Sequence, residues 1–172
     1  MKGALTAGIV LLVSLALIGG GILVLEMVDR VVPPDDDWYI LVKAPGKENR
    51  TIWLDELSGI GNRTVEMALL GTGEDGKPHR YTGLLLRDLA QVLNITTYET
   101  VTVRAVDTYS KKLTKGQVDG HDALLALSKD GKGLAPRSKG GTGPVRLVLP
   151  QDAVGTYNAQ HCVKWVSEVT FE

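Results

Sequence analysis

Cysteine is almost absent from this 172-residue chain, in which Cys162 is the only one. A single cysteine cannot close a disulfide within the chain, and it cannot build a cysteine-rich zinc or iron–sulfur site alone. Because exported proteins do not all carry disulfides, the count leaves the compartment open. It does exclude a small domain that depends on internal disulfide bridges.

Aromatic residues and excess positive charge are also scarce. Phe, Trp and Tyr make up 5% of the residues, and the formal net charge is -1 at pH 7. A nucleic-acid surface needs clustered Lys and Arg, often with aromatic side chains on which bases stack. The sequence therefore predicts no nucleic-acid partner. It also lacks a phosphate-binding loop motif, an HExxH zinc motif and a serine hydrolase signature.

One long apolar run is present near the amino terminus. Residues 4–25 carry no charge, and a run of this length can cross the ~30 Å hydrocarbon layer as a helix. A cleavable signal peptide is the alternative, although the run exceeds the ~7 to 15 residues of a typical signal core. Lys2 precedes the run and acidic residues follow it, which favours a cytoplasmic amino terminus.

These features divide the chain into four parts. Residues 1–3 form a short cytoplasmic start, and residues 4–27 form a transmembrane anchor or uncleaved signal. Residues 28–37 form an acidic linker with paired prolines, and residues 38–172 form one folded domain. We therefore expect a single-pass membrane protein with an extracytoplasmic domain and a protein partner in the membrane.

Three of the four asparagines are consistent with this orientation. Asn49, Asn62 and Asn94 each stand two residues before a threonine, which fits the acceptor pattern for N-glycosylation. Such triplets also arise by chance in threonine-rich chains, and many organisms lack the transferase. The pattern alone does not establish export.

Residue patterns predict more strands than helices. Val101, Val103 and Ala105, for example, alternate with polar residues and should share one face of a strand. Strands are expected at 38–42, 50–54, 64–70, 99–106, 145–149 and 163–171, and helical segments at 55–60, 82–93 and within 117–127. The strands do not alternate with long helices, so the predicted class is α+β, mixed and β-rich.

A series of short motifs runs through the carboxyl-terminal half of the chain. In order they are Tyr81-Thr-Gly-Leu-Leu-Leu-Arg-Asp-Leu89, Asp107-Thr-Tyr109, Asp122-Ala-Leu-Leu-Ala126, Gly143-Pro-Val-Arg-Leu-Val-Leu-Pro150 and Lys164-Trp165-Val166. Their order and spacing resemble the sulfite-oxidase-like, molybdopterin-binding oxidoreductase domain, and the resemblance covers nearly all of residues 51–172. It implies a β-rich fold and molybdopterin as the family's cofactor.

The family's metal ligand is missing at its expected place. The resemblance puts a cysteine thiolate in the strand ahead of Tyr81, but Ala68, Leu69 and Leu70 stand there and cannot ligate a metal. Molybdenum in this family needs that soft sulfur ligand. Cys162 is distant in sequence, and such a cysteine is more often a small buried residue than a substitute ligand. The sequence therefore predicts no metal ligand and no catalytic residue.

A basic, glycine-rich loop is the candidate cofactor-binding site. The resemblance implies that basic side chains and loop amides hold the pterin and its phosphate. The residues concerned are Arg137, Lys139, Gly141, Gly143 and Arg146. The alternative is a solvated loop in which Arg146, inside an apolar strand, bonds a backbone carbonyl or Asp107. Gly83 and Gly143 can also be read as points of close backbone approach.

His79, His121, His161 and Cys162 are the remaining candidate metal ligands. His161 and Cys162 would point to opposite faces of a strand, and the other two lie in or beside predicted loops. The sequence therefore predicts no site for zinc or a similar ion.

These observations lead to one main expectation and one alternative. The main expectation is a membrane-anchored, extracytoplasmic, sulfite-oxidase-like domain with no cofactor, which acts as a ligand-binding or complex-forming subunit. The alternative is a molybdopterin-dependent oxidoreductase that holds its cofactor without the usual cysteine, or with a ligand from a partner.

Overall fold

Two β-sheets organise residues 37–172, which are the residues that the computed structural model describes. The first sheet has the order β2 (Arg50–Trp53), β1 (Tyr39–Lys43), β10 (Val166–Phe171), β5 (Thr100–Ala105) and β6 (Ser110–Thr114). β1 and β10 are parallel, and the other neighbours are antiparallel. The second sheet has the order β3 (Arg63–Ala68), β4 (Pro78–Leu85), β7 (Leu124–Lys129) and β8 (Lys132–Gly133), with β9 (Arg146–Val148) also paired to β7.

The helices are short and connect the strands. They are α1 (Leu54–Gly59), α2 (Leu86–Val92), α3 (Lys115–Gly120) and α4 (Gln151–Val154), and 3-10 turns occupy Arg137–Lys139 and Asn158–His161. The predicted α+β, β-rich class is confirmed. The predicted transmembrane segment lies outside the described residues. Within residues 37–172, no helix is both long and apolar enough to cross a membrane.

Both sheets contribute side chains to one buried apolar cluster. Val101, Val103 and Ala105 are all buried, as their alternation predicts. The Trp38 indole N–H donates to the Val166 carbonyl at 2.8 Å, which ties the start of the domain to its last strand. Leu147 of β9 and Val163 exchange two backbone hydrogen bonds, so the second sheet is joined to the segment that leads into the first.

The predicted helix at 82–93 is wrong in its first part. Thr82 to Leu85 belong to β4, and only Leu86–Val92 are helical. Leu84 and Leu85, which end the strand, and Leu86, which begins the helix, are all buried, so no exposed residue reveals a period of two at this point. A short run of buried leucines fits a buried strand and a helix equally well.

The predicted helix within 117–127 is also corrected. It occupies Lys115–Gly120, because Thr114 and Gln117 form a capping box that fixes its start. Leu124 to Leu127 lie in β7. The sequence interpretation also missed β6, an edge strand whose only apolar residue is Leu113.

Gly83 allows β4 and β7 to lie close together. A Cβ atom at this position would stand 2.0 Å from the Leu125 carbonyl oxygen, so the structural reading of this glycine is confirmed. We predict that Gly83→Ala lowers the free energy of unfolding by about 1–3 kcal/mol or more. The new Cβ would clash with backbone atoms, which cannot rotate away as a flexible side chain can.

Gly59→Ala is the matched control, since its Cβ would meet nothing within 4 Å. Because Gly59 is the last residue of α1, alanine there should stabilise by less than the ~0.5–1 kcal/mol of a helix interior. Urea unfolding followed by tryptophan fluorescence measures both variants. Equal stability of Gly83→Ala and the parent would contradict the close approach of β4 and β7.

Candidate functional site

A cavity of about 510 Å³ opens beside Arg146. Three segments form its wall: the loop after β3, strand β9, and the stretch between α4 and β10. The lining residues are Gly71, Thr72, Glu74, Arg146, Tyr157, Ala159, Gln160 and Lys164. A larger cavity of about 710 Å³ lies near α1, but its charged lining residues, Asp37 and Asp55, are acidic. The cavity beside Arg146 is therefore the better candidate for an anionic ligand.

A buried ion pair forms one side of this cavity. The Arg146 guanidinium donates through Nη2 to Glu74 Oε1 at 2.6 Å, and the side chains are only 4% and 11% exposed. An arginine inside an apolar strand needs such an acceptor. The sequence indicated a backbone carbonyl or Asp107 as the alternative partner of Arg146. In the structure the partner is Glu74. Burial of the pair makes its geometry costly to change.

Two polar atoms near this pair have no hydrogen-bond partner among the described residues. They are Arg146 Nε and the hydroxyl of Tyr81, both buried. Burial raises the pKa of Tyr81 to about 12, and Arg146, Glu74 and Cys162 lie near enough to influence it. Buried donors without partners are rare and often mark a water or ligand position. Arg146 lines the cavity, so a hydrogen-bond acceptor on a bound ligand would supply the missing partner of its Nε.

The predicted binding loop packs on Trp165. The Arg137 guanidinium lies over the Trp165 ring at 4.9 Å, and the indole N–H donates to the Gly141 carbonyl at 2.8 Å. The amides of Lys139, Gly141 and Gly143 donate to Pro136 and Ala135 carbonyls of the same segment. These amides are occupied within the protein.

Only Arg146 among the five predicted binding residues lines the cavity. Lys139 is exposed in its 3-10 turn. Gly141 and Gly143 serve as points of close approach, since a Cβ would meet Ala135 or Leu134. Cofactor binding by all five residues, Arg146 included, stays a prediction.

Cys162 is poorly suited to metal ligation. It follows a 3-10 turn, so its predicted place in the closing strand is wrong; Trp165, with φ of +53°, precedes that strand. The thiol donates to the Asn158 carbonyl at 3.4 Å, and burial raises its pKa. A buried, protonated thiol is a weak ligand.

The segment that carries Cys162 nevertheless lies against residues 68–70, where the sequence resemblance expects the thiolate. Asn158 bonds the Ala68 carbonyl and the Leu70 amide, and the Ala159 amide donates to the Leu70 carbonyl at 3.1 Å. Residues 68–70 and the segment of Asn158 to Cys162 are far apart in the sequence, so the sequence alone did not show that they lie together. The apolar residues at 68–70 thus adjoin the cavity, which begins at Gly71.

The three histidines occupy separate environments. His121 Nδ1 lies 3.2 Å from Asp152, and His161 Nδ1 lies 3.3 Å from the Lys111 ammonium. Within residues 37–172, His, Cys, Asp and Glu form no group of three suited to a metal ion.

The sequence interpretation missed five polar side chains of the cavity, namely Thr72, Glu74, Tyr157, Gln160 and Lys164. Lys164 could have been predicted from the sequence, because it belongs to the Lys164-Trp165-Val166 motif. Glu74 stands in a polar loop with no periodic signal, and the exposed Tyr157 lies in an irregular segment. For these two residues, only tertiary structure reveals the connection to Arg146.

Comparison with known proteins identifies the family. The profile described as the oxidoreductase molybdopterin binding domain matches residues 28–172. The chain belongs to this family. The resemblance carried by the motifs is therefore confirmed. The match begins before Trp38, so it includes the residues predicted as a linker.

A solved structure supports the same fold. The crystal structure of the sulfane dehydrogenase SoxCD from Paracoccus pantotrophus matches with a TM-score of 0.61 at 15% identity. The alignment covers 78% of this chain and 38% of the SoxCD chain, so the present chain spans much less than that protein. No curated protein sequence matches this chain.

The described residues fit the anionic part of molybdopterin and do not fit its metal. Arg146 and Lys164 supply positive charge, and Arg146 Nε has a free proton to donate. At the position where the sequence resemblance expects the thiolate, Leu69 is 1% exposed and offers no donor atom. Molybdenum–thiolate ligation by this chain therefore has no suitable residue among those described.

A histidine joins the Glu74 loop to the turn between β7 and β8. His79 Nδ1 lies 2.7 Å from Asp130, and its Nε2 lies 3.0 Å from Asp75. These hydrogen bonds, that to Asp130 foremost, raise the pKa of His79. Backbone amides and His79 lower the pKa of both carboxyls. The charged arrangement is therefore favoured in the folded state.

We predict a pH-dependent loss of stability when His79 is replaced by Gln. Because folding raises the pKa of His79, its contribution is complete below the unfolded value of about 6.5 and falls as pH rises through the folded value. At the acid end it falls as Asp75 and Asp130 become protonated. The stability difference between parent and variant should thus be largest near pH 5–6 and shrink towards pH 9.

His161→Gln is the control, because its stability difference from the parent should change with pH in the opposite direction. Burial and Lys111 lower the pKa of His161, so its contribution is complete at high pH and declines as pH falls. Urea unfolding over pH 4–9 measures both. A stability difference for His79→Gln that does not change with pH would contradict the charged arrangement.

Proposed function

We propose that this protein is a membrane-anchored, extracytoplasmic binding subunit that holds an anionic, pterin-phosphate-like ligand in the cavity beside Arg146. In this proposal the chain performs no molybdenum chemistry of its own. The observation that carries it is the combination of a buried arginine held by Glu74 with an apolar stretch where the family has its thiolate.

Charge balance within the cavity favours an anion. Glu74 neutralises Arg146, while Lys164 has no acidic partner among residues 37–172. One positive charge therefore remains uncompensated beside a buried N–H donor. Phosphate oxygens accept hydrogen bonds from arginine and lysine with the strength of charge-assisted pairs. A phosphate monoester would satisfy both groups.

Two observations support a partner protein and the class of ligand. The predicted membrane anchor supports a partner in the same membrane, and the family membership supports a pterin as the ligand class.

The alternative function is a molybdopterin-dependent oxidoreductase whose metal ligand comes from the partner. Family membership favours it, and residues 68–70 adjoin the cavity where such a ligand would be needed. In this case the chain's residues would do the same work: Arg146 and Lys164 would bind and orient the anionic group.

Thermal stabilisation by inorganic phosphate tests the binding site. A ligand that binds only the folded state raises the melting temperature in proportion to the logarithm of its concentration relative to Kd. We predict that phosphate, compared with chloride at equal ionic strength, raises the melting temperature of the detergent-solubilised chain. Lys164→Ala should remove most of this rise, because it deletes the uncompensated charge.

Two exposed lysines provide matched controls. Lys139→Ala deletes one charge of the predicted loop, and Lys47→Ala deletes a charge that does not line the cavity. Both should retain the full response to phosphate. Loss of the response in Lys139→Ala alone would move the site to the loop. Equal responses in all variants would contradict a specific anion site.

A further inference from the structure

The four asparagines divide into one buried residue and three exposed ones. Asn158 is fully buried and is not followed by an acceptor triplet. Asn49, Asn62 and Asn94 are all exposed, and each begins a triplet that ends in threonine. The sequence pattern and surface position thus select the same three residues.

Chance does not account well for this distribution. Serine and threonine supply 20 of the 172 residues, so an asparagine has about a one-in-nine chance of a hydroxyl residue two positions later. Three such pairs among four asparagines should then occur in fewer than about one in a hundred chains of this composition. The number of acceptor triplets exceeds the chance expectation and therefore requires a cause.

Each of the three asparagines is exposed and lies outside the helices and strands. Asn49 lies between β1 and β2, Asn62 between α1 and β3, and Asn94 just after α2 with φ of +52°. The hydroxyl residues Thr51, Thr64 and Thr96 are exposed as well.

The three side-chain amides are also free or weakly engaged. Among residues 37–172, the amides of Asn49 and Asn94 make no hydrogen bond, and Asn62 Nδ2 makes one exposed bond to the Ser58 carbonyl. Attaching a group to Nδ2 would therefore break no buried interaction. None of the three residues lines the cavity beside Arg146.

We propose that Asn49, Asn62 and Asn94 are N-glycosylation sites, modified by a lipid-phosphate-linked oligosaccharide on the outer side of the membrane. In the transfer, a bond forms between Asn Nδ2 and the sugar C1, and the bond between C1 and the phosphate oxygen breaks. The amide proton passes to a base, and the lipid phosphate leaves.

Two of the sites lie on one face of the domain. Asn94 lines a small cavity together with Lys47, Glu48 and Arg50, which flank Asn49. Glycans at Asn49 and Asn94 would cover this face and keep partner proteins from it. A partner must then dock elsewhere, and the cavity beside Arg146 stays open.

Peptide mass spectrometry of the full chain, purified from its native host in detergent, tests the proposal. Peptides that contain Asn49, Asn62 or Asn94 should carry a common added hexose-containing mass, whereas the Asn158 peptide should not. Added mass on at least two of the three peptides supports the proposal. Unmodified peptides at two or more sites overturn it.

Substitutions of the hydroxyl residues separate glycosylation from other additions. Thr51→Ala and Thr96→Ala should each remove the mass from the neighbouring asparagine, and Thr→Ser at the same positions should retain it. Because the Thr64 hydroxyl contacts that of Thr82 at 2.9 Å, Asn62→Gln is the safer variant there. Retention of the mass in the alanine variants would overturn the proposal. This test is independent of the ligand in the cavity.

Discussion

Hydrogen bonds from the buried Asn158 amide hold together the segments that form the cavity. Its Oδ1 accepts from the Leu70 amide at 2.9 Å, and its Nδ2 donates to the carbonyls of Ala68 and Leu149 at 3.0 and 2.7 Å. Each bond satisfies a group at the end of a strand, and leaving one unpaired would cost about 1–3 kcal/mol. The loop that carries Glu74, the end of β9 and the segment before β10 are positioned through this one side chain.

The contacts that hold residues 68–70 in place do not require a cysteine side chain there. Ala68 and Leu70 bond Asn158 through backbone atoms, so those bonds do not depend on which side chains stand at 68–70. The buried pair of Arg146 and Glu74 likewise depends on β9 and the loop after β3, rather than on a metal. The chain therefore keeps a positively charged cavity beside an apolar surface where a metal ligand would be needed.

Local patterns in the sequence were sufficient for much of the fold. Alternation located β5, the motifs identified the family, and turn residues separated most strands. The errors at Thr82–Leu85 and Leu124–Leu127 share one cause: buried strands covered on both faces lose the period of two. Arg146 could be predicted as a site residue because an isolated charge in an apolar strand needs an acceptor. Its acceptor, Glu74, could not be predicted from the sequence.

The remaining parts of the site depend on distant pairings. Glu74 and Arg146 are 72 residues apart, and Asn158 reaches back 88 residues to Leu70. Nothing in the local sequence marks either contact. The same holds for Arg137 and Trp165, whose stacking turns a glycine-rich loop that resembles an anion nest into a packed segment with occupied amides.

The central proposal is that this chain binds an anionic ligand in the cavity beside Arg146 and supplies no ligand to a metal. The most direct measurement is the molybdenum, tungsten and acid-released pterin content per chain of protein purified from its native host. We predict metal far below a stoichiometric amount in folded protein, with or without retained pterin. A stoichiometric amount of molybdenum or tungsten, accompanied by pterin, would contradict the account.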